Sequence, residues 1–302
     1  MGIEINPGLD KSDFKIVYSP QHGADNIPVR TCLKRLGYDI VPVLAQCAPD
    51  PDYTNTKSPN PEVDASYELA IKLAKEVDAD VVAITDPDGD RLGVVAKHNG
   101  EYVLMSGNQS AAVYLEYILS QRKEKGTLPD NAVMYNTIVT SDLGELVARN
   151  YGVDVEKTLT GFKFIGDKIR KYEKTHEKQF IFGYEESYGC VVEDFVRDKD
   201  AVQAVLLAAE CGNYYKKQGK DLIDVLNELY AKYGTFKESQ IALAKAGAAG
   251  AARIKEMMDT LRKDKPTEIG GVKVVLSEDY ATSERSDGTT IDLPKSNVLK
   301  YY

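Results

Sequence analysis

The 302-residue sequence contains no tryptophan, three histidines and four cysteines. Cys32, Cys47, Cys190 and Cys211 share no C-x-x-C spacing and read as reduced, mostly structural residues. No run of about 18 apolar residues exists, so no membrane-spanning helix is expected. The opening MGIEINPGLDK has no apolar signal core, and Asn6 stands where a myristoylation motif requires Ser or Thr. Positive charge is also short: 38 Lys and Arg face 47 Asp and Glu, a net charge of −9. Nucleic acid and anionic membrane both demand a positive footprint, so neither is an expected partner, and the expected compartment is the cytosol. An anionic small molecule would need locally placed Arg and Lys.

What remains is an ordinary globular composition, 43% hydrophobic and 28% charged, at a length that implies two or more domains, each able to bury a core. The most informative stretch is Val81-Val82-Ala83-Ile84-Thr85 followed by Asp86-Pro87-Asp88-Gly89-Asp90-Arg91. A buried strand runs into three aspartates at alternate positions, with Gly89 to let the backbone curl. Carboxylates so spaced in a tight turn can converge on one small divalent ion, and Mg²⁺ is usually held by a few carboxylates plus phosphate or water. With the Arg91 guanidinium alongside, such an ion suits a phosphoryl group.

Three other readings compete. An EF-hand needs Gly at its sixth position and Glu at its twelfth, which here are Arg91 and Lys97, so that reading fails. A solvated acidic turn does not account for the apolar lead-in or the third Asp. A haloacid-dehalogenase-type phosphatase, with Asp86 as nucleophile, is the alternative that stays open.

Periodicity and turn chemistry place the remaining elements. Strands are expected at Phe14–Ser19 and Ile40–Leu44, with a helix between them capped by Asp25 or Asn26 and stopped by Gly37. A second helix is expected from an Asn60 cap and Pro61 to Val77, leading into the strand at Val81. This strand–helix order predicts a parallel sheet with right-handed crossovers, closed by a hairpin over Asn99-Gly100. A second α/β unit follows: helix 109–122, strand 132–139, a Ser141-capped helix, strand 153–159, a helix opened by Thr160-Gly161-Phe162-Lys163, and strand 180–184. Gly161 at a helix N-terminus with Lys163 nearby would suit an anion, though a plain turn reads as well. Glu185 and Ser187, alternate residues of an extended loop, could grip adjacent sugar hydroxyls. Arg197 and Lys199 at the start of the next helix oppose its dipole unless an anion or carboxylate is near, which marks them as site candidates. Ser19 and His22 form a weaker nucleophile-and-base candidate. After Tyr233 come strand-like Gln240–Ala244, a helix at 248–262 and strand-like Val272–Leu276 and Val298–Tyr302.

Taken together, TDPDGDRLG, TGFKFI, YEESYG and VRDKD, with KSPNPE, resemble the α-D-phosphohexomutases, the phosphoglucomutases and phosphomannomutases, over nearly the whole chain. The resemblance implies consecutive three-layer α/β/α domains with mainly parallel mixed sheets, plus a partial C-terminal α+β domain. The expected divisions are 1–105 with the metal loop, 106–233 with the sugar loop, and 234–302. It implies Mg²⁺ on Asp86, Asp88 and Asp90, with Arg91 beside the metal and a phosphoserine. Glu185 and Ser187 would bind sugar hydroxyls, Thr160, Gly161, Lys163 and Arg197 would line the substrate, and Lys199 would serve as general acid/base or positioning residue. The expected substrate is a hexose phosphate, interconverted between its 1- and 6-phosphates through glucose 1,6-bisphosphate. Two departures stand out. The family's phosphoserine loop, like TASHNP, has no counterpart before Phe14, and its Arg/Ser/Gly/Thr-rich phosphate clamp has none before Tyr302. The expectation is therefore a piece of a longer enzyme that does not turn over alone.

Overall fold

The computed structural model describes residues 3–241 and 243–302. Contacts divide the chain into two units, 1–236 and 237–302.

The first unit holds two sheets. The first has the order β2-β1-β3-β4-β5, built from β1 (Lys15–Ser19), β2 (Asp39–Pro42), β3 (Val81–Thr85), β4 (Leu92–His98) and β5 (Glu101–Met105). β2, β1 and β3 are parallel, and β4 and β5 close the sheet antiparallel. Helices α1 (Asn26–Leu36) and α2 (Glu68–Val77) make the crossovers. Every residue of β3 is buried, as a central strand covered on both faces must be. Asn99 and Gly100, both at positive φ, form the hairpin turn between β4 and β5.

The second sheet has the order β7-β6-β8-β9. Its strands are β6 (Ala132–Thr137), β7 (Asp154–Thr158), β8 (Gln179–Tyr184) and β9 (Cys190–Val191), with only β9 antiparallel. Around them lie α3 (Gly107–Glu124), α4 (Leu143–Asn150), α5 (Phe162–Thr175), α6 (Ala201–Lys216) and α7 (Leu222–Tyr233). One core of buried residues runs through both sheets by way of α3 and α6, whose inner residues are buried on nearly every side. The sheets are thus consecutive α/β/α layers of mixed, mainly parallel strands, as expected. No helix among the described residues is long and apolar enough to cross a membrane, and all four cysteines are free.

The second unit is a small α/β assembly. Helix α8 (Gly247–Lys263) precedes the pair β10 (Glu268–Ile269) and β11 (Val272–Lys273). A three-stranded antiparallel sheet follows, from β12 (Ser277–Asp279), β13 (Glu284–Arg285) and β14 (Leu299–Tyr301).

Several local expectations need correction. The helix expected from Asn60 begins at Glu68, after a 3-10 turn at Asp64–Tyr67. Asn60 does not cap it, because its Oδ1 accepts instead from Glu62 N at 3.0 Å and from Arg91 at 3.2 Å. Arg197 and Lys199 lie before α6 and not in its first turn; Asp200 is the N-cap and accepts from Val202 N and Gln203 N. Of the strand expected at Gln240–Ala244, Ala242 lies outside the described residues and the others have no regular structure.

Candidate functional site

Ligands of open α/β sheets bind beyond the carboxyl ends of the parallel strands, and three loops leave those ends together. Asp86 follows β3, Thr160 and Gly161 follow β7, and Glu185 follows β8.

The β3 loop is wound around Asp86. This residue is fully buried, and its Oδ1 accepts from Asp90 N at 3.1 Å and Arg91 N at 3.0 Å. Its Oδ2 takes the Arg91 Nε at 2.6 Å. Gly89 makes the turn at φ 74, a value that costs a side-chain-bearing residue. One ligand oxygen each from Asp86, Asp88 and Asp90 can be chosen within 4.8 Å of one another. Burial is the main reason the Asp86 carboxyl is pushed up to about 6, against the pull of Arg91.

Next to this loop, Asp25 is pushed up to about 7 by its own burial and then by Asp200, Asp86, Asp88 and Asp90. Its Oδ2 has no hydrogen-bond partner. A surplus of carboxylate oxygens, one of them orphaned in a buried position, is the chemistry of a hard-cation site. The donor set fits a small divalent ion such as Mg²⁺.

Two cations meet this acid cluster. Arg91 spans Asp86 and, at its other end, Asn60 Oδ1 at 3.2 Å and Glu62 Oε1 at 3.4 Å. The KSPNPE loop therefore anchors the guanidinium. Lys199 comes from the segment before α6, and its Nζ lies 2.9 Å from Asp90 Oδ2 and 3.9 Å from Glu185 Oε2. Burial lowers the Lys199 ammonium, but Asp90, Glu185 and Asp198 outweigh it and hold the group above its ordinary value. It is a charged ammonium. Its stem runs over Gly189, where a Cβ would fall 2.0 Å from Lys199 Cδ.

Glu185 links the two loops of the second sheet. It is 4% exposed, and its Oε1 accepts from Gly161 N at 2.8 Å. Burial is the chief cause of its raised carboxyl, with Gly161 N–H and Lys199 pulling it back. Gly161 has φ 116 and stands at the start of α5. Thr160 is exposed and Ser187 half-buried. The following Glu186 is tied to Thr137 and Thr140, at 3.0 and 3.2 Å.

An open cleft of about 760 Å³ runs from Gly89 along Lys163, Asp167 and Arg170 of α5 to Arg197 and Lys199. Lys163 is exposed, its Nζ 5.0 Å from the Phe164 ring centroid. Arg197 is largely committed elsewhere: it pairs with Glu173 at 2.6 Å and donates to the carbonyls of Asp194 and Val196. The structure thus brings Asp86, Asp88, Asp90, Arg91, Lys199, Glu185 and Gly161 into one connected network.

Ser19 and His22 do not form a nucleophile-and-base pair. The Ser19 hydroxyl donates to Gln46 Oε1 at 2.6 Å, and His22 Nδ1 lies 2.7 Å from the Ala48 carbonyl. Sequence reasoning gave Asp25 and Asn60 no role at the site beyond capping helices, and it quoted Glu62 only as part of a motif. The one signal for Asn60 and Glu62 was the KSPNPE match; Asp25 read as nothing more than a helix cap.

Residues 4–100 match the phosphoglucomutase/phosphomannomutase alpha/beta/alpha domain II profile, and residues 106–233 match that of domain III. Among similar proteins, a phosphoglucomutase of Staphylococcus haemolyticus is 36% identical over 299 residues, covering 97% of this chain and 54% of that protein. One from Staphylococcus epidermidis is 37% identical over 301 residues with the same coverage. The chain spans about half the length of the curated relatives it matches. In fold it is similar to a phosphoglucomutase structure from Paramecium, pp63/parafusin in its open form. The TM-score is 0.64 at 16% identity, over all of this chain and 51% of the other. A phosphoglucomutase/phosphomannomutase family protein from Burkholderia thailandensis gives 0.59 at 20% identity, over 75% of this chain and 45% of the other. The chain belongs to the phosphoglucomutase/phosphomannomutase family, the α-D-phosphohexomutases.

Proposed function

We propose that this α-D-phosphohexomutase chain supplies the metal-binding and sugar-binding halves of a phosphoglucomutase active site. Within it, 1–105 carries the cation loop, 106–233 the sugar loop, and 234–302 a further small domain. The observation that supports this reading most is the Lys199–Asp90 contact at 2.9 Å, which joins the cation loop of one α/β/α layer to the Glu185–Gly161 link of the next.

In this reading Asp86, Asp88 and Asp90 hold Mg²⁺, which when bound supplies positive charge against phosphoryl oxygens. Arg91, fixed by Asp86, Asn60 and Glu62, offers its remaining guanidinium donors to the same phosphate. Lys199, held charged, donates a proton to the departing oxygen of a phosphoryl transfer; the neutral amine this leaves then takes the proton of the attacking hydroxyl and returns to the ammonium, general acid/base work typically worth about 10² to 10⁴-fold. Glu185 holds the Thr160-Gly161 loop, and Ser187 offers a hydroxyl to the sugar. Lys163 puts an exposed positive charge on the cleft wall, beside Arg197, whose charge is shared with Glu173. Substrate positioning in such a cleft contributes much of the remaining rate.

The substrate is then a hexose 1-phosphate converted to its 6-phosphate, with glucose or mannose as the sugar. Glucose 1,6-bisphosphate serves as intermediate and activator, and a phosphoserine outside these 302 residues serves as phosphoryl donor. This chain alone should not turn over, and its setting would be the cytoplasm. The alternative, a sugar phosphatase with Asp86 as nucleophile, fits poorly. Asp86 is fully buried and three N–H groups already occupy its oxygens.

The test is conversion of glucose 1-phosphate with Mg²⁺ and a trace of glucose 1,6-bisphosphate, by the longer polypeptide and by this chain. Activity of the longer protein that disappears in Asp88→Asn supports the reading. Phosphate release by this chain alone, lost in Asp86→Asn, would favour the phosphatase.

A further inference from the structure

Asp25 occupies the N-cap position of α1, yet its side chain makes no capping hydrogen bond. An aspartate there ordinarily accepts from the second or third backbone N–H of the helix. Here the carboxylate lies instead against the middle of the Asp86–Asp90 loop. A Cβ on Gly89 would meet Asp25 Oδ1, Cγ and Oδ2 at 2.6, 2.7 and 2.8 Å. The backbone holds it there. Ala24 N donates to the Pro87 carbonyl at 3.0 Å, and a Cβ on Gly23 would fall 2.5 Å from Pro87 Cα. Asp25 is 7% exposed and its Oδ2 has no partner, an arrangement that is costly for a carboxylate unless positive charge arrives from elsewhere. Arg91 and Lys199 are engaged by Asp86 and Asp90.

We infer that Asp25 is a positioning residue of the cation site: it backs Gly89 in its positive-φ turn and adds a buried negative charge that a divalent ion on Asp86, Asp88 and Asp90 offsets. The inference rests on the reading of those three aspartates as cation ligands, and it gives Asp25 no direct bond to the ion. Its role is to make the loop bind more tightly when loaded and to make the empty loop less stable.

The test uses the 302-residue chain with Mn²⁺ alone as the probe, following free Mn²⁺ by electron paramagnetic resonance. Asp25→Asn keeps the shape and removes the charge, and should raise the dissociation constant roughly three- to tenfold. Without divalent ions the same variant should melt above the unaltered chain, whereas a purely structural Asp25 would give a lower melting temperature on replacement. Asp25→Ser, a favoured N-cap residue, should weaken Mn²⁺ in the same direction and serves if the Asn variant fails to fold. If both variants bind Mn²⁺ like the unaltered chain while Asp88→Asn has lost it, the cation reading stands and Asp25 has no part in it. Failure of both Asp25 variants to fold would likewise make the residue structural. No Mn²⁺ binding by the unaltered chain would remove both readings together.

Discussion

Two acidic clusters in this molecule, each with buried members, are built on opposite terms. In the second unit Glu278 is 2% exposed and fully served. It pairs with Arg285 Nε at 2.7 Å and accepts from the Tyr280 hydroxyl at 2.7 Å and the Tyr302 hydroxyl at 3.3 Å. Its neighbour Asp279 takes Arg262 Nε on both oxygens at 3.2 Å and Ala281 N at 3.0 Å. In the first unit Asp25, Asp86, Asp88, Asp90 and Asp200 gather around two cations, Arg91 and Lys199. The balanced cluster holds strands together. The unbalanced one has more carboxylates than nearby cations, and a buried carboxyl such as Asp25 with a perturbed titration marks a candidate ligand site.

The contrast is open to attack from both sides. The largest expected effect is at the unbalanced cluster: Asp88→Asn should weaken divalent-cation binding by roughly a hundredfold or more, given that even outer-shell changes cost 10–100-fold. Titration calorimetry with Mn²⁺ reads it, and unchanged binding would make the cluster an ordinary acidic turn. At the balanced cluster, Arg285→Ala strands a buried carboxylate. It should destabilise the second unit by about 2 kcal/mol, below the 3–5 kcal/mol of a fully buried pair because the arginine is partly exposed. Thermal unfolding followed by circular dichroism measures this, and Mg²⁺ should not rescue it.

A smaller effect has the opposite sign. Lys199→Met frees Asp90, so divalent-cation affinity should rise by roughly threefold to tenfold even though the ammonium is gone; weaker binding would mean that Lys199 organises the loop. Smallest is the pH dependence. Asp86 and Asp25 titrate near 6 and 7 in the fold against an ordinary 3.8. Between those values the folded chain binds more protons than the unfolded one, so these two groups make stability fall as pH rises from about 4 to 7. A bound divalent ion offsets that loss. The Mg²⁺-induced rise in melting temperature should therefore be larger at pH 7.5 than at pH 5, and an equal rise would contradict the assignment.

Much of this was legible in the sequence because the signals were local. The β3 strand is five apolar or β-branched residues in a row, and Asn99-Gly100 requires a hairpin. Each depends on neighbours in the chain. The misplacements came from long-range partners. Asn60 looks like a helix cap until Arg91, 31 residues away, claims its oxygen. Arg197 and Lys199 look like cations against a helix dipole until Glu173 and Asp90 are seen to neutralise them. Asp25 could not be told from a routine cap, because only the packing of Gly23 and Ala24 on Pro87 turns its carboxylate toward Gly89.

The central claim is that the cleft binds a hexose phosphate together with a divalent ion, and titration calorimetry of this chain with glucose 1,6-bisphosphate tests it most directly. The account predicts binding that tightens when Mg²⁺ is present and loses that dependence in Asp88→Asn. Binding of equal strength with and without Mg²⁺, or none in either condition, would contradict it.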